Sequence, residues 1–421
     1  MKISSREIWE ADLDAVRAKG LYRELRRVDS AQGAEIELNG KALLNFSSND
    51  YLGLANHPAL KAAAIRAIEQ YGTGSGASRL VCGSLAPHHE LEEALASFKS
   101  TEAAVTFSSG YATALGTITS LVGKEDILIL DKLVHASIID AARLSGARLR
   151  VYAHNDLNEL ETILQWADRQ RSSAISGSDS AGVSQYPSAI KPRVLIVTES
   201  VFSMDGDRAP LTQIVELKER YGAWLMLDEA HATGFFGRNG RGLAEEAGVS
   251  DRVEIQMGTL GKALGAAGGF ICGSRALIDL LINRARSFIF STAPMPAAAA
   301  AGRAGLQIIQ STEGRERVAQ LWRNIGEARQ LLASSSFASP PQFGTSAILP
   351  LIIGDEQRAV ALAGRLREQG IFVPAIRYPT VARGAARMRV TLNSAHTRDQ
   401  IKSLSDALAR ALDVGVTPLA N

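Results

Sequence analysis

Hydrophobic and polar positions along this chain follow two periods, and the switches between them outline its elements. Ile8, Leu13, Val16 and Leu21 fall near one face at helical spacing, which predicts an amphipathic helix over residues 3 to 27. Alternation in Glu35-Ile-Glu-Leu and again in Ala42-Leu-Leu-Asn-Phe46 predicts a short hairpin turning at Asn39-Gly40. A polar turn over residues 47 to 54 then breaks into helix after Pro58.

From residue 103 the pattern becomes strand, turn, helix, repeated. Ala103–Phe107, Asp126–Leu130, Arg148–Tyr152, Arg193–Val197, Ala223–Leu227 and Val253–Met257 are strand-like runs, with helical stretches such as 112 to 121 and 156 to 169 between them. This rhythm predicts an α/β protein with a large, mostly parallel sheet. Residues 172 to 190 are polar and of low complexity, and they are expected to form a mobile surface loop because the rhythm resumes at once. In the last third, strands are predicted at Ala347–Ile353, at Phe372-Val373 running on into residues 375 to 380, and at Arg387–Leu392. Helices between them imply a smaller α+β domain. The expected division is an N-terminal helix and hairpin arm (1–50), a large domain (51–298) and a small C-terminal domain (299–421).

Composition narrows the function classes. With 46 basic and 44 acidic residues the net charge is near zero, which disfavours a dedicated nucleic-acid surface. Cys82 and Cys272 have neither metal-site spacing nor a disulfide framework, so a reducing, cytoplasmic setting and no metal site are expected. The N-terminus has no signal-like apolar core, and no run is long enough for a bilayer span, so no membrane role is expected.

The candidate chemistry centres on Met257-Gly-Thr-Leu-Gly-Lys262-Ala-Leu-Gly-Ala-Ala-Gly-Gly-Phe270. One lysine stands among small residues, with no acid inside the stretch. Desolvation in such a pocket disfavours the ammonium and frees the amine for Schiff-base chemistry, and the glycines admit a bulky ligand close to the backbone. Ser203, Asp228 with His231, and Lys262 follow three successive predicted strands, so a parallel sheet would bring them to one edge. His135 also lies just past a strand end, where a structural role is the alternative. Ser108-Ser109-Gly110-Tyr111 opens a helix and offers free amides to a phosphate. The glycine-rich Tyr71–Arg79 stretch lacks the P-loop and dinucleotide patterns, so NTP and NAD binding lose support. A serine hydrolase triad loses support too, because no Gly-x-Ser-x-Gly elbow surrounds a candidate serine. Arg389 lies inside a strand pattern, where a buried cation requires an anion: a structural acid or a substrate carboxylate.

With these residues in view, the chain resembles the α-oxoamine synthases, which are fold-type-I pyridoxal-phosphate enzymes. Leu44–Leu54, Gly74–Arg79, Thr198–Asp207 and Ala375–Val381 carry the resemblance, together with the Lys262 segment. It extends over essentially the whole chain except the 172–190 stretch. It implies pyridoxal 5'-phosphate held by Lys262, which would also move the Cα proton of an amino acid. Asp228 would pair with the ring nitrogen, His135 would stack on the ring, and His231 and Ser203 would serve its phenolic oxygen. Gly110, Tyr111 and Thr259 would hold the phosphate. Ser291 or Thr292 would reach in from a second subunit, which implies a homodimer. Arg389 would clamp the amino-acid carboxylate, and Arg23, Asn49, Ser78 and Thr380 would line the acyl side, with Arg79 nearby. The implied reaction joins L-alanine to a pimeloyl thioester, on coenzyme A or an acyl carrier protein. A family member that joins glycine to acetyl-CoA is the nearest alternative, and a silent phosphate-ligand binding protein is the alternative of another class. Glu229 stands where a second aspartate is frequent in the family, and it is expected beside the ring site.

Overall fold

The computed structural model describes residues 3–176, 192–333 and 345–413. The chain divides into two compact units: one of residues 52–203 and 207–318, the other of residues 1–51, 204–206 and 319–421.

The second of these begins with the helix Ser5–Ala18, shorter than the expected 3 to 27. Ser4 and Glu7 cap its start reciprocally. Gly20, at φ 65°, ends it: the Gly20 amide donates to Arg17 O and the Leu21 amide to Val16 O, a hydrogen-bond pattern that stops a helix. No residue of this helix is buried. The hairpin follows as expected, with β1 (Glu35–Leu38) antiparallel to β2 (Lys41–Asn45) and Asn39 and Gly40 both at positive φ.

The larger unit holds a seven-stranded sheet. Its strands are β3 (Ala103–Phe107), β4 (Ile127–Asp131), β5 (Arg148–Tyr152), β6 (Val194–Glu199), β7 (Trp224–Asp228), β8 (Ile255–Thr259) and β9 (Gly269–Gly273). They lie in the order β3-β9-β8-β7-β6-β4-β5, and β9 alone runs antiparallel to its neighbours. The mostly parallel expectation holds; β9 was not foreseen, because its Gly-Phe-Ile-Cys-Gly sequence continues the small-residue lysine stretch. Strands β4 and β6 are buried along their whole length, as a sheet covered on both faces requires. The helix expected to end at residue 169 continues as Leu157–Ser176, so the polar stretch starts as helix; its residues 177 to 190 lie outside the described residues.

The smaller unit completes itself with β10 (Ile348–Gly354), β11 (Ile371–Phe372), β12 (Ala375–Ile376) and β13 (Ala386–Thr391). The run predicted to continue from residue 372 to 380 splits at Pro374. The proline has no amide for a ladder, and β11 pairs with β2 while β12 pairs with β13. Phe46 stacks on His396 at 4.3 Å in this unit's interior.

Candidate active site

The parallel strands of the larger unit end along one edge, and the candidate side chains stand there. Asp228 is the last residue of β7 and Glu199 the last of β6, and the two are register partners. Both are buried, at 6 % and 2 % exposure. Desolvation raises the pKa of both carboxyls. Glu199 is pushed up to about 8, by burial first and by Asp228 next, against the opposing charge of Lys262 and the amides of His135 and Ser203. Asp228 is raised by burial, with Lys262 and the Ala230 amide (2.9 Å) opposing.

Lys262 follows β8 in the loop closed by Leu260 N to Gly268 O and Ala266 N to Leu260 O. Its Nζ lies 2.8 Å from His231 Nε2, and His231 is buried three residues beyond Asp228. One glycine of this stretch serves close packing within the protein. Gly265, at φ 66°, passes so close to Leu54 that a Cβ would stand 2.5 Å from its carbonyl carbon.

His135 caps the helix Ala136–Ser145 through Nδ1, which meets the Ser137 hydroxyl at 2.8 Å and amide at 3.2 Å. Its own amide donates to Glu199 at 2.5 Å. Desolvation lowers its pKa, Lys262 adds to that, and Asp228 opposes. Gly110 and Tyr111 open the helix Gly110–Leu121, ahead of the Ala112 amide that Ser109 caps. A Cβ on Gly269 would meet Gly110 Cα at 2.9 Å, so this helix start abuts the lysine loop. Thr259 Oγ1 donates to Gly268 O at 2.9 Å and stands 3.9 Å from where a Gly110 Cβ would be.

The structure therefore brings Lys262, His231, Asp228, His135, Ser203, Thr259 and the Gly110 helix start together. It adds Glu199, which the sequence reading passed over although it ends an apolar strand just as Asp228 does. Glu229 corrects an expectation: it turns away from the strand edge. Its carboxylate forms a fully buried ion pair with Lys99 and accepts the Ala244 amide. Arg79 is likewise occupied structurally, bidentate on Glu92 and bonded to Ser84. Ser78 pairs with Thr292 in an isolated bridge, and Ser291 adjoins it.

In the other unit, buried Arg389 on β13 donates to Asn49 at 3.1 Å and hydrogen-bonds Tyr51. Arg377 grips the carbonyls of Gly20 and Tyr22, while Arg23 reaches Tyr378 O at 3.3 Å. Thr380 is exposed beside them in sequence.

The donor set fits pyridoxal phosphate. Two adjacent buried acids are costly unless a cation faces them, and a protonated ring nitrogen is one. A lysine amine is present for an aldehyde, and a helix start for a phosphate.

Comparison with known proteins agrees. The aminotransferase class I and II family matches residues 41–408. The chain belongs to that family. It is 45% identical to the 8-amino-7-oxononanoate synthase of Geobacter sulfurreducens, over 95% of this chain and 96% of that one. Among solved structures it is similar to a variant serine palmitoyltransferase of S. paucimobilis with a bound PLP–myriocin aldimine (TM-score 0.86, 27% identity, 98% and 99% covered). It is also similar to the 8-amino-7-oxononanoate synthase of Francisella tularensis (TM-score 0.69, 29% identity, 88% and 98% covered). Among the described residues no helix is long and apolar enough to cross a membrane.

Proposed function

We propose that the protein is an 8-amino-7-oxononanoate synthase, which condenses L-alanine with a pimeloyl thioester and releases CO2 and free thiol. The observation that carries the chemistry is the Lys262 amine in contact with His231, beside the buried acids that end β6 and β7. The identity to curated synthases over nearly the whole chain carries the choice of reaction.

Bound pyridoxal phosphate supplies an electron sink for charge developing at the amino acid's Cα. The protein's residues do the rest. Lys262 Nζ would hold the cofactor's aldehyde and is the base placed to move the amino acid's Cα proton, with His231 Nε2 as its neighbour. Asp228 keeps a proton on the ring nitrogen, and Glu199 supports it while fixing the backbone at His135 and Ser203. The His135 ring would lie against the bound cofactor. The Gly110 and Tyr111 amides and the Thr259 hydroxyl hold the phosphate, as a helix start can. Ser291 or Thr292 of the partner subunit adds to this in a homodimer. Arg389 holds the alanine carboxylate by paired charge-assisted bonds, and Arg23, Asn49, Ser78 and Thr380 face the acyl donor.

The test is thiol release by cofactor-loaded protein. L-alanine with pimeloyl-CoA is expected to outpace glycine with acetyl-CoA. The reverse preference would make it a glycine acetyltransferase. Silence with both pairs would turn attention to a pimeloyl carrier protein. Protein that takes up no pyridoxal phosphate would reduce the site to a binding pocket of another kind.

A further inference from the structure

Away from the lysine, the larger unit contains a histidine gripped by two acids. His154 follows β5, and its side chain is 24 % exposed. Its Nδ1 lies 3.0 Å from Asp131 and its Nε2 lies 2.7 Å from Asp207. A neutral imidazole donates from one nitrogen only, so serving both carboxylates requires the doubly protonated ring. Partial burial pulls its pKa down, but the bonds to Asp131 and Asp207 outweigh that and push it up to about 10.

Each acid is also a backbone anchor. Asp131 ends β4 and accepts the amides of Leu133 (2.8 Å) and Asn155 (2.9 Å), so it shapes the turn that leads to His135. Asp207 accepts the Asn155 side-chain amide at 3.0 Å, and its carbonyl accepts the Phe202 amide at 3.0 Å. It thereby closes the loop that carries Ser203. The Phe202 ring meets His154 edge to face, with centroids 4.3 Å apart.

We propose that His154 is a positioning residue for the cofactor pocket: seated between Asp131 and Asp207, it ties the turn carrying His135 to the loop carrying Ser203. The inference rests on the reading that this pocket takes pyridoxal phosphate. His154 touches neither cofactor nor substrate; it acts by keeping two pocket walls in register.

A control exists at the other end of the same strands. Arg193 and Asp126 form a bidentate pair just before β6 and β4. Removing it takes a comparable ion pair from the same sheet at the edge away from the pocket. The experiment measures the dissociation constant of pyridoxal phosphate and the melting temperature of cofactor-free protein for wild type, His154→Ala, Asp207→Asn and Arg193→Ala.

His154→Ala should weaken pyridoxal phosphate binding roughly tenfold or more, the size outer-shell partners have at metal sites. Asp207→Asn should move it less in the same direction. Arg193→Ala should lower the melting temperature and keep wild-type affinity. Should His154→Ala fail to fold, Asp207→Asn decides, since it leaves the His154–Asp131 pair in place. Unchanged cofactor affinity in His154→Ala and Asp207→Asn overturns the proposal. So does a loss that merely tracks melting temperature across all variants, Arg193→Ala included. Wild-type protein that binds no pyridoxal phosphate overturns both this inference and the reading beneath it, whereas binding that ignores His154 overturns this inference alone.

Discussion

Replacing Glu199 by glutamine tests the electrostatics of the pocket floor directly. The folded protein holds this carboxyl at a pKa of about 8 against 4.5 for an ordinary glutamate, through burial and the neighbouring Asp228. Between those values the folded state binds more protons than the unfolded state, so stability falls as pH rises through that window. Near pH 7 the gap realised is about 2.5 pK units, which corresponds to roughly 3 kcal/mol at 1.36 kcal/mol per unit. Glutamine removes that load and keeps an acceptor oxygen for the His135 and Ser203 amides, while its NH2 group needs a partner at a cost of about 1 kcal/mol. The net expectation is cofactor-free protein about 2 kcal/mol more stable near neutrality. For a cooperative unit of about 260 residues this raises the melting temperature by about 4 °C. Calorimetry on cofactor-free wild type and Glu199→Gln across the window reads it out. The variant's advantage should be absent well below pH 4.5, where both states are protonated, and should widen up to about pH 8. An advantage that is flat, or that shrinks as pH rises, would refute the reasoning.

Three further outcomes follow from the same geometry. Lys99→Met strands the buried Glu229 carboxylate and should cost about 3–5 kcal/mol, and Lys99→Met/Glu229→Gln should recover part of it, as melting would show. Gly265→Ala places a Cβ 2.5 Å from the Leu54 carbonyl carbon at φ 66°. It should cost about 2–4 kcal/mol and lower cofactor retention, seen by melting and by absorbance after dialysis. Arg389→Ala should lower kcat/KM for alanine roughly 10- to 150-fold, with Arg389→Lys restoring only part because the planar fork is lost. Unchanged alanine kinetics would remove Arg389 from the amino-acid site.

Much of this was legible in the sequence, for reasons that particular residues make plain. Buried parallel strands read as unbroken apolar runs, so β4, β6 and β7 announced themselves, and the polar residues just past them marked the working edge. Side-chain direction was not legible. Asp228 and Glu229 are adjacent and alike in charge, yet one lies at the strand edge with Glu199 and the other is buried against Lys99, because successive residues leave a strand on opposite sides. Glu199 escaped notice because a single acid ending an apolar run gives no signal until its neighbour in the sheet is known. The first helix was overextended because Gly20 and its two capping bonds outweigh the apolar period that continues to Leu21. The continuation of the Leu157 helix to Ser176 is hard to read because serines are poor helix formers, so composition points to a loop where the backbone is still helical.

Strands β4 and β6 are fastened at both ends, by Asp126 with Arg193 where they begin and by Asp131, His154 and Asp207 where they finish. Between these fastenings the paired residues Ile127–Leu130 and Val194–Val197 are fully dry. Opening such a pair requires breaking charged contacts at two distant points at once, so its amides belong to the part of the molecule that exchanges with solvent only on global unfolding. The turn at residues 131–135 and the loop at 200–209 lie beyond the ladder. The pocket thus stands on a floor that opens only with the whole molecule, and the His154 clamp moors its two walls to that floor.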